Sequence, residues 1–310
     1  MRPFGKGLLA LLVTLAPLAI PIASGAASKP SDFPMTLKLA DGTFTFKARP
    51  DAIVSLSPTA TEMLYAIGAG PQVKAVDSYS DYPPNAPITT LNAYDPNVEA
   101  IAKYNPDLVV VSSDTTGFNT QMAALKIPVL YDPAAANLSQ AYAEYGPLGE
   151  VTGHVAQATK EVATIKAKIA SIVATTPHAK KGTTYYYELE PDYYSVASST
   201  FVGKLFSLLG LTSIADSAKG LASSGGYPQL NAEFILKANP KYIFLADTIC
   251  CHASPSTVAK RPGWTALTAV KDNRVIKLND DIASRWGPRI TVLLQDVADA
   301  LEGKPVPATS

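Results

Sequence analysis

The chain has few residues of the kinds that usually carry metal or nucleophilic chemistry. Its 310 residues include 3 His and 2 Cys, and 26 basic residues balance 26 acidic ones. Without a basic stripe we expect no nucleic-acid partner, and so few His argue against free zinc or manganese as cargo. The sequence has no Gly-x-Ser-x-Gly turn, no phosphate-binding Gly-rich loop with Lys and no His-Glu-x-x-His. We therefore expect a binding protein, not an enzyme, with no intrinsic cofactor and no metal site.

A long apolar run occurs only at the N-terminus. Two basic residues precede a largely apolar stretch at 8–16, and small residues at 24–28 fit a signal peptidase site. The stretch is short and is followed by proline, so it fits a secretion signal at 1–27 better than a membrane anchor, which is the alternative. No Cys lies near the cleavage site to suggest lipid modification. We expect an exported protein, periplasmic or at the cell surface.

The two cysteines are adjacent, at Cys250 and Cys251. In an oxidising compartment such a pair can form a vicinal disulfide. Metal-binding cysteines are usually separated by at least two residues, so chelation of one ion by this pair is disfavoured. We predict a disulfide at the rim of a ligand site.

A ten-residue segment occurs twice. Residues 97–106 and 231–240 share Asn, Glu, Ile, Lys, Asn and Pro in step. Each copy is typical of a short helix that is capped by Asn and ends before Pro, and the helix dipole alone explains a Glu in its first turn. As a pair, however, Glu99 and Glu233 predict one carboxylate at an equivalent point of each of two lobes. That geometry suits docking onto a two-fold symmetric partner with basic residues.

Helices alternate with short apolar strands, which predicts two α/β lobes with central, mostly parallel sheets. We place the first lobe at 35–146 with a leading β-hairpin, the second at 181–303, and a tail at 304–310. Between the lobes, apolar residues at steps of three and four predict one long helix at 147–177, bracketed by proline. A coiled-coil dimer is the alternative, but the few heptads favour a helix packed against both lobes of a monomer.

Several motifs occur together: residues 53–58 with Thr61-Glu62, residues 79–84, the paired Glu helices, residues 261–264 and residues 283–289. The set resembles the solute-binding proteins of ABC importers that have a rigid interlobe helix, a family that includes cobalamin, siderophore and haem binders. The resemblance covers nearly all of the chain after the signal. It implies that Glu99 and Glu233 engage Arg residues of a dimeric permease, and that separate subunits use ATP.

Within that family, the segment at 79–84 is most similar to the cobalamin binders. This resemblance implies cleft contacts by Tyr79, Tyr94 and Trp286, although Trp is usual where Tyr94 stands. We predict cobalamin or another corrinoid as the ligand, with a ferric siderophore or haem as the alternative. A secreted or surface ligand-binding module outside transport is the alternative of another class.

Ligands of paired α/β lobes bind at the carboxyl ends of the strands. The loops expected there are rich in Tyr, Asp and Ser, which suits a large planar or amide-decorated ligand. The candidate cleft residues are Ser57, Tyr79, Tyr94, Tyr193, Arg285 and Trp286. Each of the aromatic and arginine candidates also has a purely structural alternative. We assign Trp264 to a core and Arg289 to an internal ion pair.

Overall fold

The computed structural model describes residues 33–39, 42–114 and 117–307. The predicted signal segment at 1–27 lies outside these ranges. The leading hairpin pairs β1 (Met35–Leu39) antiparallel with β2 (Gly42–Phe46), as their alternating sequences predict. None of the described helices has both the length and the apolar character that a membrane span needs.

The first lobe is built on a parallel sheet with the strand order β5-β4-β3-β6-β7. The strands are β3 (Ile53–Leu56), β4 (Val73–Asp77), β5 (Ile88–Leu91), β6 (Leu108–Val111) and β7 (Val129–Tyr131). The two central strands are buried at every position, because elements cover both faces of a parallel sheet. The helices packed around this sheet are α1 (Pro58–Ala66), α2 (Val98–Ala102) and α3 (Phe118–Ala124).

The long helix predicted between the lobes is present, but it is shorter than the predicted range 147–177, and a second helix precedes it. The structure has two helices, α4 (Leu138–Thr152) and α5 (Val155–Thr175), separated by Gly153 in the left-handed conformation. Pro147 lies inside α4 and does not precede the helix. Gly146 lacks the Cβ that would clash with the proline ring, and the carbonyl that loses its donor belongs to an exposed residue, Ala143.

The second lobe has a smaller parallel sheet with the order β11-β10-β8-β9. Its strands are β8 (Thr184–Glu188), β9 (Thr212–Ser213), β10 (Tyr242–Leu245) and β11 (Val275–Lys277). Its helices are α6 (Phe201–Ser207), α7 (Ala232–Ala238), α8 (Pro255–Ala259), α9 (Thr268–Lys271), α10 (Asp280–Ser284) and α11 (Ile290–Glu302). Two parallel-sheet α/β lobes confirm the predicted fold class.

One apolar core continues from lobe to lobe on the side of the connecting helix. Met63 of α1, Ile165 and Ile169 of α5, and Leu294 and Val297 of α11 all belong to it and are buried. The helix α11 therefore belongs to the second lobe in sequence but shares a core with the first. Because packed apolar surface resists separation, this shared core restricts how far the lobes can move apart.

Candidate ligand-binding cleft

Two tyrosines of the first lobe project into solvent beside the carboxyl edge of its sheet. Tyr79 follows β4 and is 55% exposed, and Tyr94 follows β5 and is 79% exposed. Their rings meet edge to face, with centroids 5.8 Å apart. Large aromatic side chains are normally covered in a soluble protein, so this exposed pair is a candidate ligand surface.

Ser57 is placed differently from the tyrosines. Its side chain is buried, and its hydroxyl accepts a hydrogen bond from the Ala60 N–H at 3.2 Å as the N-cap of α1. The neighbouring Thr61 hydroxyl donates to the buried Ser55 hydroxyl at 2.9 Å and lies within hydrogen-bond distance of the buried Ser80 hydroxyl at 3.1 Å. The serine and threonine hydroxyls at the end of β3 therefore hold the loop and the helix start together.

Arg285 joins the two lobes behind the Tyr79 loop. Its side chain is 7% exposed. The guanidinium donates to Glu62 Oε1 at 3.0 Å, to the Tyr79 carbonyl at 2.8 Å, to Asp81 Oδ1 at 3.0 Å and to Asp281 Oδ1 at 2.5 Å. The arginine thus fixes the backbone that carries the exposed tyrosine, and its charge is met by carboxylates of the protein itself.

Glu62 of α1 is the fully buried centre of this interlobe ion cluster. Besides Arg285, it binds Arg289, which donates through Nε at 2.9 Å and through a terminal nitrogen at 2.6 Å. The Arg289 guanidinium also covers the Tyr82 ring, 4.1 Å from its centroid. These contacts confirm the internal ion pair expected for Arg289.

Trp286 forms a second bond between the lobes. Its indole N–H donates to Glu144 Oε2 on α4 at 2.7 Å, and its ring packs half-buried against the shared core. Burial, followed by the Asp132 carboxyl, raises the pKa of Glu144 to about 8. Burial likewise raises the pKa of Asp132 to about 7. The polar edge of this tryptophan is thus committed to a carboxyl group of the other lobe.

Tyr193 is half-buried and stacks on the buried Trp264, with ring centroids 6.0 Å apart. The Arg261 guanidinium lies 5.6 Å from the Tyr193 centroid and 4.6 Å from that of Trp264. Arg261 in turn makes a bidentate pair, at 2.5 and 2.6 Å, with the buried Glu188 at the end of β8. The burial of Trp264 confirms its assignment to a core, and the next residue, Tyr194, is the more exposed of the two tyrosines.

A loop at the end of β10 carries the two cysteines, which are bonded to each other and exposed. At the base of this loop Asp247 is fully buried, and no donor within the described ranges reaches its carboxyl oxygens. Burial and the neighbouring Glu188 carboxyl raise the pKa of Asp247 to about 7. Among residues 33–39, 42–114 and 117–307, no group of three or more His, Cys, Asp or Glu side chains is arranged to hold a metal ion.

The repeated Glu helices have matching local structures. Asn97 Oδ1 accepts the Ala100 N–H at 2.8 Å, and Asn231 Oδ1 accepts the Phe234 N–H at 2.8 Å. Glu99 and Glu233 are exposed in the first turns of α2 and α7. Each carboxylate therefore projects into solvent at the helix end nearest the carboxyl edge of its sheet.

The sequence profile of the family described as periplasmic binding protein matches residues 53–282. The chain belongs to the periplasmic binding protein family. An uncharacterized ABC transporter substrate-binding lipoprotein of Bacillus subtilis is 28% identical over 288 residues, covering 90% of this chain and 88% of that protein. A cobalamin-binding protein of Halobacterium salinarum is 26% identical over 287 residues, covering 88% of this chain and 76% of that protein.

A solved structure with the same fold comes from Staphylococcus epidermidis. This possible iron-binding, periplasmic solute-binding protein is 26% identical, with a TM-score of 0.69 over 82% of this chain and 99% of that one. Its similarity, together with the family match, confirms the resemblance drawn from the motifs at 53–58, 79–84, 261–264 and 283–289.

The structure brings Tyr79, Tyr94 and Arg285 together, buries Ser57 and leaves Trp286 and Tyr193 half-buried. Two exposed residues of the same loops, Tyr194 and Ile249, were not among the predicted cleft residues. For the first, strand alternation around 184–194 offered a weak signal. For the second, an isoleucine beside a predicted surface disulfide was the signal available.

Proposed function

We propose that this chain is the exported solute-binding protein of an ABC importer that captures cobalamin or another corrinoid between its lobes. It delivers the ligand to a dimeric permease served by separate ATPase subunits. The relative from Halobacterium salinarum, a cobalamin-binding protein, supports the ligand. The tyrosine-rich segment at 79–84 supports it independently, through its resemblance to the cobalamin binders.

The observation that carries the proposal is the way each lobe joins a tyrosine loop to a Glu helix. In the first lobe Tyr94 stands three positions before Asn97, the cap of the helix with Glu99. In the second lobe the Tyr193 carbonyl accepts the Leu230 N–H at 3.0 Å, immediately before the helix with Glu233. A tyrosine loop and a docking carboxylate thus lie next to each other in both lobes, which suits direct transfer into a partner docked across the cleft.

The charges around the cleft favour a ligand without strong negative charge. Arg261, Arg285 and Arg289 each bind a buried carboxylate, so none of these three guanidinium groups is free to pair with an anionic ligand. The accessible surface is instead aromatic, at Tyr79 and Tyr94. Flat aromatic faces with hydroxyl edges suit a macrocycle rimmed by amides, such as a corrinoid, better than the carboxylates of haem.

A ferric siderophore is the second candidate. The description of the Staphylococcus epidermidis protein as possibly iron-binding favours it. A neutral ferric hydroxamate also lacks the negative charge that the paired arginines cannot accommodate. Outside transport, a surface ligand-binding module remains the competing class. A permease gene and an ATPase gene next to this one support import, and their absence would favour that module.

The test is a fluorescence titration of the purified chain with cyanocobalamin, ferrichrome and haemin. We expect saturable one-to-one binding of cyanocobalamin, and weaker binding in Tyr79→Ala and Tyr94→Ala. Losing one aromatic contact should cost about 1–3 kcal/mol, or roughly 5- to 150-fold in affinity. Tyr104→Ala is the matched control, because Tyr104 is an exposed tyrosine beyond the far end of α2. Equal affinity in all three variants would contradict the placement of the ligand.

A further inference from the structure

The loop that follows β10 exposes an apolar tip to solvent. Ile249 is 54% exposed, and the disulfide between Cys250 and Cys251 beside it is exposed as well. A disulfide has no hydrogen-bond donor, and its sulfur atoms are polarizable and only weak acceptors. The tip, defined as residues 249–251, therefore offers water an apolar surface where most loops offer polar groups.

The backbone of the tip is held by one carboxylate. Asp280 accepts the N–H groups of three consecutive residues: Thr248 at 2.7 Å, Ile249 at 3.0 Å and Cys250 at 2.9 Å. It also accepts the Thr248 hydroxyl at 3.0 Å. Charge-assisted bonds of this kind are the strong ones. The loop conformation thus has its own support, and the disulfide is not required to explain it.

The short helix α10, which begins with Asp280, also connects the tip to the first lobe. Asp281, next to Asp280 in α10, binds Arg285 at 2.5 Å. Arg285 in turn donates to the Tyr79 carbonyl at 2.8 Å. Adjacent residues of α10 therefore hold the tip of the second lobe and, through Arg285, the backbone of the exposed Tyr79 of the first. The tip follows β10 and Tyr79 follows β4, so each lies beyond the carboxyl end of a strand of its own sheet.

We propose that the tip at 249–251 is the second lobe's contact surface for the ligand and works opposite the Tyr79–Tyr94 pair. It accepts an apolar, methyl-rich or flat face of a macrocyclic ligand by dispersion contact, and covering it removes apolar surface from water. The identity of that ligand as a corrinoid rests on the proposed function. The contact itself is a property of this loop.

The experiment compares three variants by equilibrium titration with cyanocobalamin. Cys250→Ser with Cys251→Ser removes the disulfide. Ile249→Ser removes the neighbouring apolar side chain and leaves the disulfide intact. Ile88→Ser is the matched control, because Ile88 is 51% exposed at the amino end of β5, away from the carboxyl edge. We expect the dissociation constant to rise about 5- to 30-fold in the first two variants, the effect of losing one buried apolar group. The control should bind as wild type does, and all three should keep the wild-type urea midpoint.

Two results overturn the inference. Wild-type affinity in both the double cysteine variant and Ile249→Ser shows that the ligand does not touch the tip. A loss confined to the cysteine variant shows that the disulfide acts through loop shape and not by contact. If wild type instead takes ferrichrome or haemin, the corrinoid assignment fails separately, and the same variants measured with that ligand decide the contact by the same criterion.

Discussion

Substitution of the buried Glu62 should lower the free energy of unfolding more than substitution of an exposed charged residue does. Glu62→Gln keeps the shape of the side chain and removes its charge. The glutamate accepts one hydrogen bond from Arg285 and two from Arg289. A glutamine presents an N–H₂ group to one of these arginines, so at least one guanidinium meets a donor where it had an acceptor.

The magnitude follows from what each arginine keeps. Arg285 retains Asp81, Asp281 and the Tyr79 carbonyl, whereas Arg289 keeps at most one of its two bonds to residue 62 and loses the negative charge that it pairs with. Breaking a buried ion pair by removing one partner costs about 3–5 kcal/mol. That is a large part of the roughly 5–15 kcal/mol that stabilises a typical domain, so we expect a folded but much less stable protein.

Urea unfolding followed by circular dichroism measures this free energy. Asp51→Asn is the control. The Asp51 side chain makes an exposed pair with Arg49 at 3.8 Å, so this substitution should change the free energy of unfolding by less than about 1 kcal/mol. Adding Arg289→Gln to Glu62→Gln should recover part of the loss, because the stranded charge is then gone. If Glu62→Gln lowers the free energy of unfolding by less than about 1 kcal/mol, the expectation of a buried ion cluster is wrong, because solvated ion pairs contribute no more than that.

Three further expectations concern pH, docking and packing. Burial raises the pKa of Asp132 to about 7 and that of Glu144 to about 8, whereas carboxyl groups of the unfolded chain titrate at about 4. Between these pH values the folded state therefore binds more protons than the unfolded state. The free energy of unfolding should therefore fall as pH rises from about 5 to 8, and Glu144→Gln should flatten that slope in urea titrations while Glu150→Gln on the exposed side of α4 does not. Glu99→Ala with Glu233→Ala should leave ligand affinity intact but abolish uptake in a cell-based transport assay, and a loss of affinity in the purified double variant would place these residues in the cleft. Gly203→Ala should destabilise the protein by about 1–3 kcal/mol, measured as a lower urea midpoint, because its new Cβ would overlap the Ala197 carbonyl oxygen. An unchanged midpoint would contradict this.

Local chemistry made much of the fold predictable. Asn97 and Asn231 cap their helices as their sequence positions indicate, and the unbroken apolar segments became the buried strands β6 and β10. The connection between the lobes was not predictable by the same rules. Proline usually marks a helix start, but Pro147 lies inside α4, because the preceding Gly146 has no Cβ to clash with the proline ring. The chain leaves the helical conformation at Gly153 instead.

The candidate site depended on contacts far apart in sequence, which no local pattern contains. Arg285 meets Glu62 across 223 positions, and Trp286 meets Glu144 across 142. Their residue types gave equal grounds for a cleft contact and for an internal bond. Ser57 was predicted as a cleft residue, whereas in the structure it is buried and caps α1, a role that a Ser followed by Pro at a helix start also fits. The exposure of Tyr79 and Tyr94 could be learned only from the folded chain.

Native mass spectrometry of a ligand competition tests most directly whether this chain binds a corrinoid. The purified chain is incubated with equimolar cyanocobalamin, ferrichrome and haemin, and the mass of the bound species is read from the intact complex. We expect a single cyanocobalamin adduct that diminishes in Tyr79→Ala and persists in Tyr104→Ala. A dominant ferrichrome or haemin adduct, or a cyanocobalamin adduct insensitive to Tyr79, would contradict it.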